Sequence, residues 1–338
     1  MEGASYIWGN GYVVLITTLG VTVFLLANMV GLYWIGKVFR VRNALMMAMV
    51  ALPVLALGLT MGFPIIYTVV LSFGNMDLFH FKDPTFSFQQ FAVNIRDVFT
   101  RPIIRTEGLW IILARTFLWT GVQTSLQVVF GFLLALCLNA PIRFKRIFQS
   151  ILILPWAIPS TISLMTLRME FHPQFGFING LIETIFGPGT GPPWWSNGFW
   201  NFVSMNLVNL WLGVPFMMVL ILGALQGVDR QSLEAAEIDG AGRVRRLFEI
   251  TIPLISPTLI PAVIMSAIYS FNNFGVPYFM NPQELETSQL LSLAIFRTAR
   301  YLNRYSFSSA LALVNTGILM VMVFFWVRRS GVLRDIRS

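Results

Sequence analysis

The chain has 338 residues, of which 56% are hydrophobic and only 11% charged, with a mean hydropathy of +0.71. A soluble domain carries about 25% charged residues, so this composition excludes an ordinary soluble globule and places the chain in lipid. Its net charge of +8 is read by location, since cytoplasmic loops of membrane proteins collect Lys and Arg, and no nucleic-acid partner is expected.

Seven stretches reach the roughly 20 apolar residues that a helical span needs. The first, near 12–35, is too long for a cleaved signal and is followed by Lys37, Arg40 and Arg42, so it is expected to be retained. The second covers 44–73, and the loop 74–108 after it has balanced charges and is too short for a domain of its own. The third, 109–138, holds Arg115 about two turns from its outer end, where it is expected to snorkel outward. It also holds the single cysteine, Cys137, so no disulfide can form within the chain. The fourth, 148–167, leads into a Gly-, Pro- and Trp-rich loop at 168–199 suited to the membrane interface. Spans at 200–224, 256–280 and 307–327 complete the set, with a polar segment at 229–253 between the first two of these. Long apolar runs rather than short alternating strands exclude a β-barrel.

Alternation across the membrane sorts fourteen basic residues to one side and eight to the other. The richer side is expected to be cytoplasmic, which puts the N-terminus outside and the C-terminus and the segment 229–253 inside. The organisation expected is 1–107, a two-span region with its outside loop; 108–330, the transmembrane core; and 331–338, a cytoplasmic tail.

Several chemistries lack their residues. The Gly36-Lys37 pair continues into Val38, so no phosphate-cradling loop of the Gly-Lys-Ser/Thr kind is present. His80 and His172 sit in separate outside loops with no Cys/His/Asp cluster nearby, and no metal site is expected. The span cores carry no His, Asp or Glu, which argues against an intramembrane enzyme and against a proton-coupled secondary transporter.

Residues 232–257 read SLEAAEIDGAGRVRRLFEITIPLISP. Asp229 can cap a short helix through about Ser232–Ile238, and Gly240 tolerates the positive φ of a sharp turn. A second short helix is expected over Arg243–Ile250, with Pro253 and Pro257 interrupting the run into the sixth span. Acids ride on the first arm and arginines on the second. Ala235, Ala236 and Ala241 are small, while Leu233 and Ile238 offer apolar anchors, so the hairpin suits a groove on another protein. An amphipathic helix lying on lipid is the alternative, but anionic lipid would repel Glu234, Glu237 and Asp239.

These residues resemble the cytoplasmic signature of binding-protein-dependent ABC importer permeases: Glu234-Ala235-Ala236, three residues, Gly240, nine residues, Ile250, then Ile252-Pro253. Ile252 stands where Leu is usual. Asp239-Gly240-Ala241 is similar to the carbohydrate branch of that family. The resemblance implies an all-α, polytopic type I ABC importer transmembrane fold with about seven transmembrane helices. It also implies that Glu234, Ala235, Ala236, Asp239, Gly240, Ala241 and Pro253 form a coupling element docked on a separate ATPase dimer. ATP and Mg would bind on that ATPase and no cofactor on this chain, which would do no covalent chemistry itself. A second related permease subunit, an extracellular sugar-binding protein and membrane lipid are the other partners implied.

Two polar stripes flank the hairpin. Asn206, Asn209, Gly213 and Phe216 share a face of the fifth span, and Ser266, Ser270, Asn273 and Pro277 share one of the sixth. Each residue alone could be helix–helix glue; two stripes beside one polar loop favour a pathway. Amides and hydroxyls suit an uncharged, hydroxyl-rich solute, and Tyr269, Phe274, Phe216 and Trp211 could stack on a sugar ring. The segments around Asn209–Phe216 and Ser270–Phe274 are similar to those of the sugar-holding membrane subunits of maltose/maltodextrin importers. That resemblance implies sugar contacts at Asn209, Leu212, Gly213, Phe216, Ser266, Tyr269, Ser270 and Asn273. The function expected is ATP-driven import of maltose/maltodextrin-like sugars by alternating access; the alternatives are another disaccharide, glycerol phosphate, or proton-coupled transport.

Overall fold

The computed structural model describes residues 44–330 and, ahead of them, Val30, Gly31, Tyr33, Trp34 and Lys37. The span expected near 12–35, apart from Val30, Gly31, Tyr33 and Trp34, and the tail 331–338 therefore lie outside the described residues. Among the described residues the chain is helical, with two isolated β-bridges, Gly74–Phe86 and Ile104–Glu107. Among the described residues, five helices are long and apolar enough to cross a membrane, and six if one bent pair counts as a span. By packing the chain divides into Met1–Val70 and Leu71–Ser338.

In the first unit, α1 (Ala44–Leu57) runs through a π turn at Gly58–Gly62 into α2 (Phe63–Ser72), whose last two residues, Leu71 and Ser72, belong to the second unit. The π turn ends two residues before Pro64. A proline has no N–H to give the carbonyl four residues back and its ring presses on that carbonyl, so one widened turn lets the helix continue. Leu59, Ile65 and Ile66 are all exposed, as expected of a surface that meets lipid.

The second unit starts with α3 (Phe88–Thr100), whose first turn is capped by Ser87 Oγ accepting from Gln90 N at 3.0 Å. Asn94 ties α3 to the preceding chain by donating to Ser72 O and Gly74 O at 2.9 and 2.8 Å. The long helices α4 (Leu109–Asn139) and α8 (Gly198–Gln226) pack along each other. Glycines set their closeness: a Cβ on Gly131 would meet Met217 Cγ at 2.8 Å. This is the small-residue packing by which helices associate in lipid, where tails compete for every apolar contact.

Between them in sequence, α5 (Lys145–Ala157) and α6 (Ser160–Glu170) meet at 94°, where 148–167 was expected as one span. Pro159 forces Ile158 into extended backbone, φ −83° and ψ 136°, and the helix stops there. The loop 168–199 folds around α7 (Phe177–Phe186), with Trp194 buried and its Nε1 donating to Asn179 Oδ1 at 2.6 Å.

After α8 comes the polar hairpin, α9 (Arg230–Ile238) and α10 (Arg243–Arg246). A second π turn, Leu247–Thr251, joins α10 to α11 (Ile252–Phe271). The expected interruption at Pro253 and Pro257 is corrected by this turn. It again ends two residues before a proline, Pro253, and lets the helix run on through Pro257 and Pro261. A short α12 (Gly275–Met280) follows a break, then α13 (Leu291–Arg300) and α14 (Tyr305–Ser330).

Three apolar clusters form the interior. One gathers Val98, Leu109, Ile112, Phe271 and Leu311. The second holds Trp119, Leu164, Met205, Val208, Val276 and Met280, and the third Ala135, Met217, Met218, Ile221, Ile255 and Ala262. Along α4, α8 and α11–α12 alike, the second and third clusters leave a polar stretch between them.

Arg115 does not snorkel freely. Its guanidinium clasps Glu107 with two bonds, at 2.6 and 3.0 Å, and also donates to Glu286 O and to Gln289 O. It thereby staples α4 to the loop before α13. Nearby Arg297 is almost fully buried and faces Glu284 at 3.4 Å. Burial pushes its pKa below the ordinary value, and the carboxylate opposite offsets part of that.

Candidate functional site

The polar stretch between the two apolar clusters opens into a cavity of about 600 Å³. All eight residues expected at a solute site line it: Asn209, Leu212, Gly213 and Phe216 from α8, and Ser266, Tyr269, Ser270 and Asn273 from α11 and its end. Gln127 of α4, Trp156 of α5, Ser160 and Leu164 of α6, and Met265, Gly275 and Val276 complete the wall. None of these lining residues carries a charge. One rim is open: Trp156 and Tyr269 are 61% and 66% exposed.

Hydrogen bonds fix the polar wall. Asn273 Nδ2 donates to Asn209 Oδ1 at 2.9 Å, joining the two stripes. Asn273 Oδ1 accepts from Val276 N at 3.0 Å and so caps α12 after the break. Ser292 Oγ donates to Asn273 O at 2.7 Å. Ser266 Oγ donates to Gln127 Oε1 at 2.6 Å, and Trp119 Nε1 to Ser270 O at 3.0 Å. Phe216 and Trp156 stand with ring centroids 5.9 Å apart, an apolar wall facing the amides.

Other expected members of the stripes lie elsewhere. Asn206 turns to α4, where its carbonyl and Oδ1 both accept from Gln123 Nε2 at 2.9 Å, and it serves as interhelical glue. Pro277 is buried beside Val276. Phe274 stacks on Tyr278 and packs at a tilt against Phe296, and Trp211 is outside the lining. Gln127 and Trp156 were missed. The sequence signal for Gln127 was a third polar stripe, Thr116, Thr120, Gln123 and Gln127, at helical spacing on the third span. Trp156 gave none, since an aromatic in an apolar run reads as lipid-facing.

The hairpin is a second, separate feature. Asp229 Oδ1 accepts from Gln231 N at 3.1 Å and caps α9. The α9 C-terminus closes as a Schellman turn: Ala241 N donates to Ala236 O at 2.9 Å and Gly240 N to Glu237 O at 3.0 Å, with Gly240 at φ +79°. Arg246 reaches back to Glu237 at 2.5 Å, linking the arms. Ala236 is packed inside the turn, while Ala235, Glu234 and Asp239 are exposed and Ala241 is half-buried. Pro253 is exposed at the start of α11. Ile238 at 87%, Val244 at 71% and Phe248 at 62% exposure give the hairpin an uncovered apolar surface among charges, the mark of an interaction site.

Comparison with known proteins shows the family and the fold. Residues 127–330 match the family described as binding-protein-dependent transport system inner membrane component. The chain is 31% identical over 281 residues to a galactooligosaccharides transport system permease protein of Bacillus subtilis, covering 79% of this chain and 65% of the relative. It is 32% identical over 226 residues to a maltodextrin transport system permease protein of Streptococcus pneumoniae, covering 65% of this chain and 52% of the relative. The chain thus spans about half to two thirds of the length of these curated relatives. The solved structure of a bacterial ABC transporter involved in the import of the acidic polysaccharide alginate superposes with a TM-score of 0.71 at 22% identity, covering 88% of this chain and 97% of that one.

Proposed function

We infer the function from one premise: this chain belongs to the family of binding-protein-dependent transport system inner membrane components. It is a multi-pass transport subunit of that membrane. We propose that it is the sugar-holding permease of an ATP-driven ABC importer, and that it translocates maltodextrin-like oligosaccharides by alternating access.

The observation that carries this is the cavity: amides, hydroxyls and aromatic rings from five helices meet with no charged side chain among the lining residues. Such a wall can exchange hydrogen bonds with sugar hydroxyls and cover the apolar face of a pyranose. A glycerol phosphate would need a cation here. Proton coupling would need a carboxylate or imidazole.

The partners follow from the same reading. The hairpin at 229–253 docks on a separate ATPase dimer, which binds ATP and Mg. A second related permease covers the open rim at Trp156 and Tyr269. An extracellular sugar-binding protein meets the loops 168–199 and 281–306, on the side that also holds the N-terminus. The relative named for galactooligosaccharide transport supports a second reading of the solute, a galactooligosaccharide.

The test is uptake into proteoliposomes holding the complete importer, with maltotriose, galactotriose and glycerol 3-phosphate offered in turn. ATP-dependent uptake of one trisaccharide, lost in Asn209→Ala and Asn273→Ala, is the expected result. Uptake that ignores ATP, or that prefers the phosphate ester, would sink the proposal.

A further inference from the structure

We propose that Gln127 is a specificity-determining residue of the cavity, donating from its Nε2 to an oxygen of the bound sugar. The inference rests on the cavity being the solute site.

The side-chain amide of Gln127 is held at one end only. Its Oε1 accepts from Ser266 Oγ at 2.6 Å, which fixes the plane of the group and turns the two N–H bonds away from α11. The nitrogen then lies directly over Gly213: a Cβ built there would come within 2.2 Å of Gln127 Nε2. A glycine at 213 therefore makes the space that the amide occupies. Among the described residues nothing accepts from this Nε2. Gln127 is nevertheless 93% buried from solvent, at 7% exposure, and lines the cavity.

Four residues earlier on the same helix, Gln123 has its donor end satisfied within the protein. Its Nε2 is used twice, on Asn206 O and Asn206 Oδ1, both at 2.9 Å, and it does not line the cavity. Two glutamines one turn apart are thus used in opposite senses: Gln123 spends its donors inside the protein and leaves its buried Oε1 without a partner, whereas Gln127 spends its Oε1 on Ser266 and presents its donors. A donor pair kept in a largely apolar setting without an acceptor is costly unless an incoming group supplies one. The acceptor that fits an uncharged cavity is a hydroxyl or ring oxygen of a neutral pyranose. A site built to bond one hydroxyl rejects the analogue that lacks it far better than an apolar pocket rejects a change of size.

The experiment uses the complete importer in proteoliposomes, with maltotriose and galactotriose in parallel and the monodeoxy analogues of whichever the wild type carries. Gln127→Leu should lower uptake of the intact sugar about tenfold, the worth of one good hydrogen bond. For one monodeoxy analogue, the variant and the wild type should be equal. Co-purification of the subunits checks assembly, and Gln127→Met replaces the leucine variant should that one not assemble. An equal loss on every analogue, or unchanged uptake of the intact sugar while Asn273→Ala is inactive, overturns the role of Gln127 and leaves the cavity as the site. Wild-type uptake in Gln127→Leu, Asn209→Ala and Asn273→Ala together overturns the site itself.

Discussion

Asn273 uses one amide for two tasks, donating to Asn209 across the cavity and accepting from Val276 N to start α12. Asn273→Ala removes both, and the lost cap alone costs about 1 kcal/mol. Asn273→Asp keeps the accepting oxygen. It should restore most of the thermal stability of the detergent-purified complex while uptake stays low, because the donor toward Asn209 is gone. Equal stability of the two variants would show that the cap contributes nothing. Arg115 is the residue whose loss should cost most. It is 15% exposed, its partner Glu107 11%, and two loop carbonyls share the guanidinium. Arg115→Met leaves a buried carboxylate unpaired and should destabilise by about 3–5 kcal/mol. Glu107→Gln, which keeps a hydrogen-bonding oxygen, should be milder; the melting temperatures of the two variants check this order.

At the scale of elements, the hairpin depends on Gly240, whose φ of +79° is open to glycine and strained for any residue with a Cβ. Gly240→Ala should cost about 1–2 kcal/mol of local stability. Gly240→Pro cannot adopt that φ at all and should abolish co-purification of the ATPase while the paired permeases stay together. Retained ATPase in that variant would remove the hairpin from the docking surface. The Asp229 cap and the Gly240 turn were legible because each needs only a local residue type. The 94° bend at Pro159 was not, since an apolar run looks the same straight or folded. The π turns were also hidden: proline announces a disturbed helix, but whether it kinks, stops or widens depends on the packing around it. Six of the eight site residues lie on the two stripes, while Leu212 and Tyr269 entered with the family resemblance. Their convergence with Gln127 and Trp156 was not legible, because it depends on how five helices meet.

For the whole molecule, the charge bias gives an orientation that labelling can check. In a Cys137→Ser background, an impermeant maleimide should reach Thr190→Cys from outside intact cells and Glu234→Cys only after permeabilisation. The reverse pattern would invert the topology. The widened turn at Leu247–Thr251 has a consequence of its own. It makes α10 and α11 one shaft, so the azimuth of Ser266 and Ser270 is geared to that of the hairpin. Each residue advances a helix by about 100°. Deleting Ile250 should tighten the turn to ordinary pitch and swing both serines out of alignment with Gln127. Such a chain should still seat on its motor yet carry no cargo, a shaft fitted one tooth out of phase.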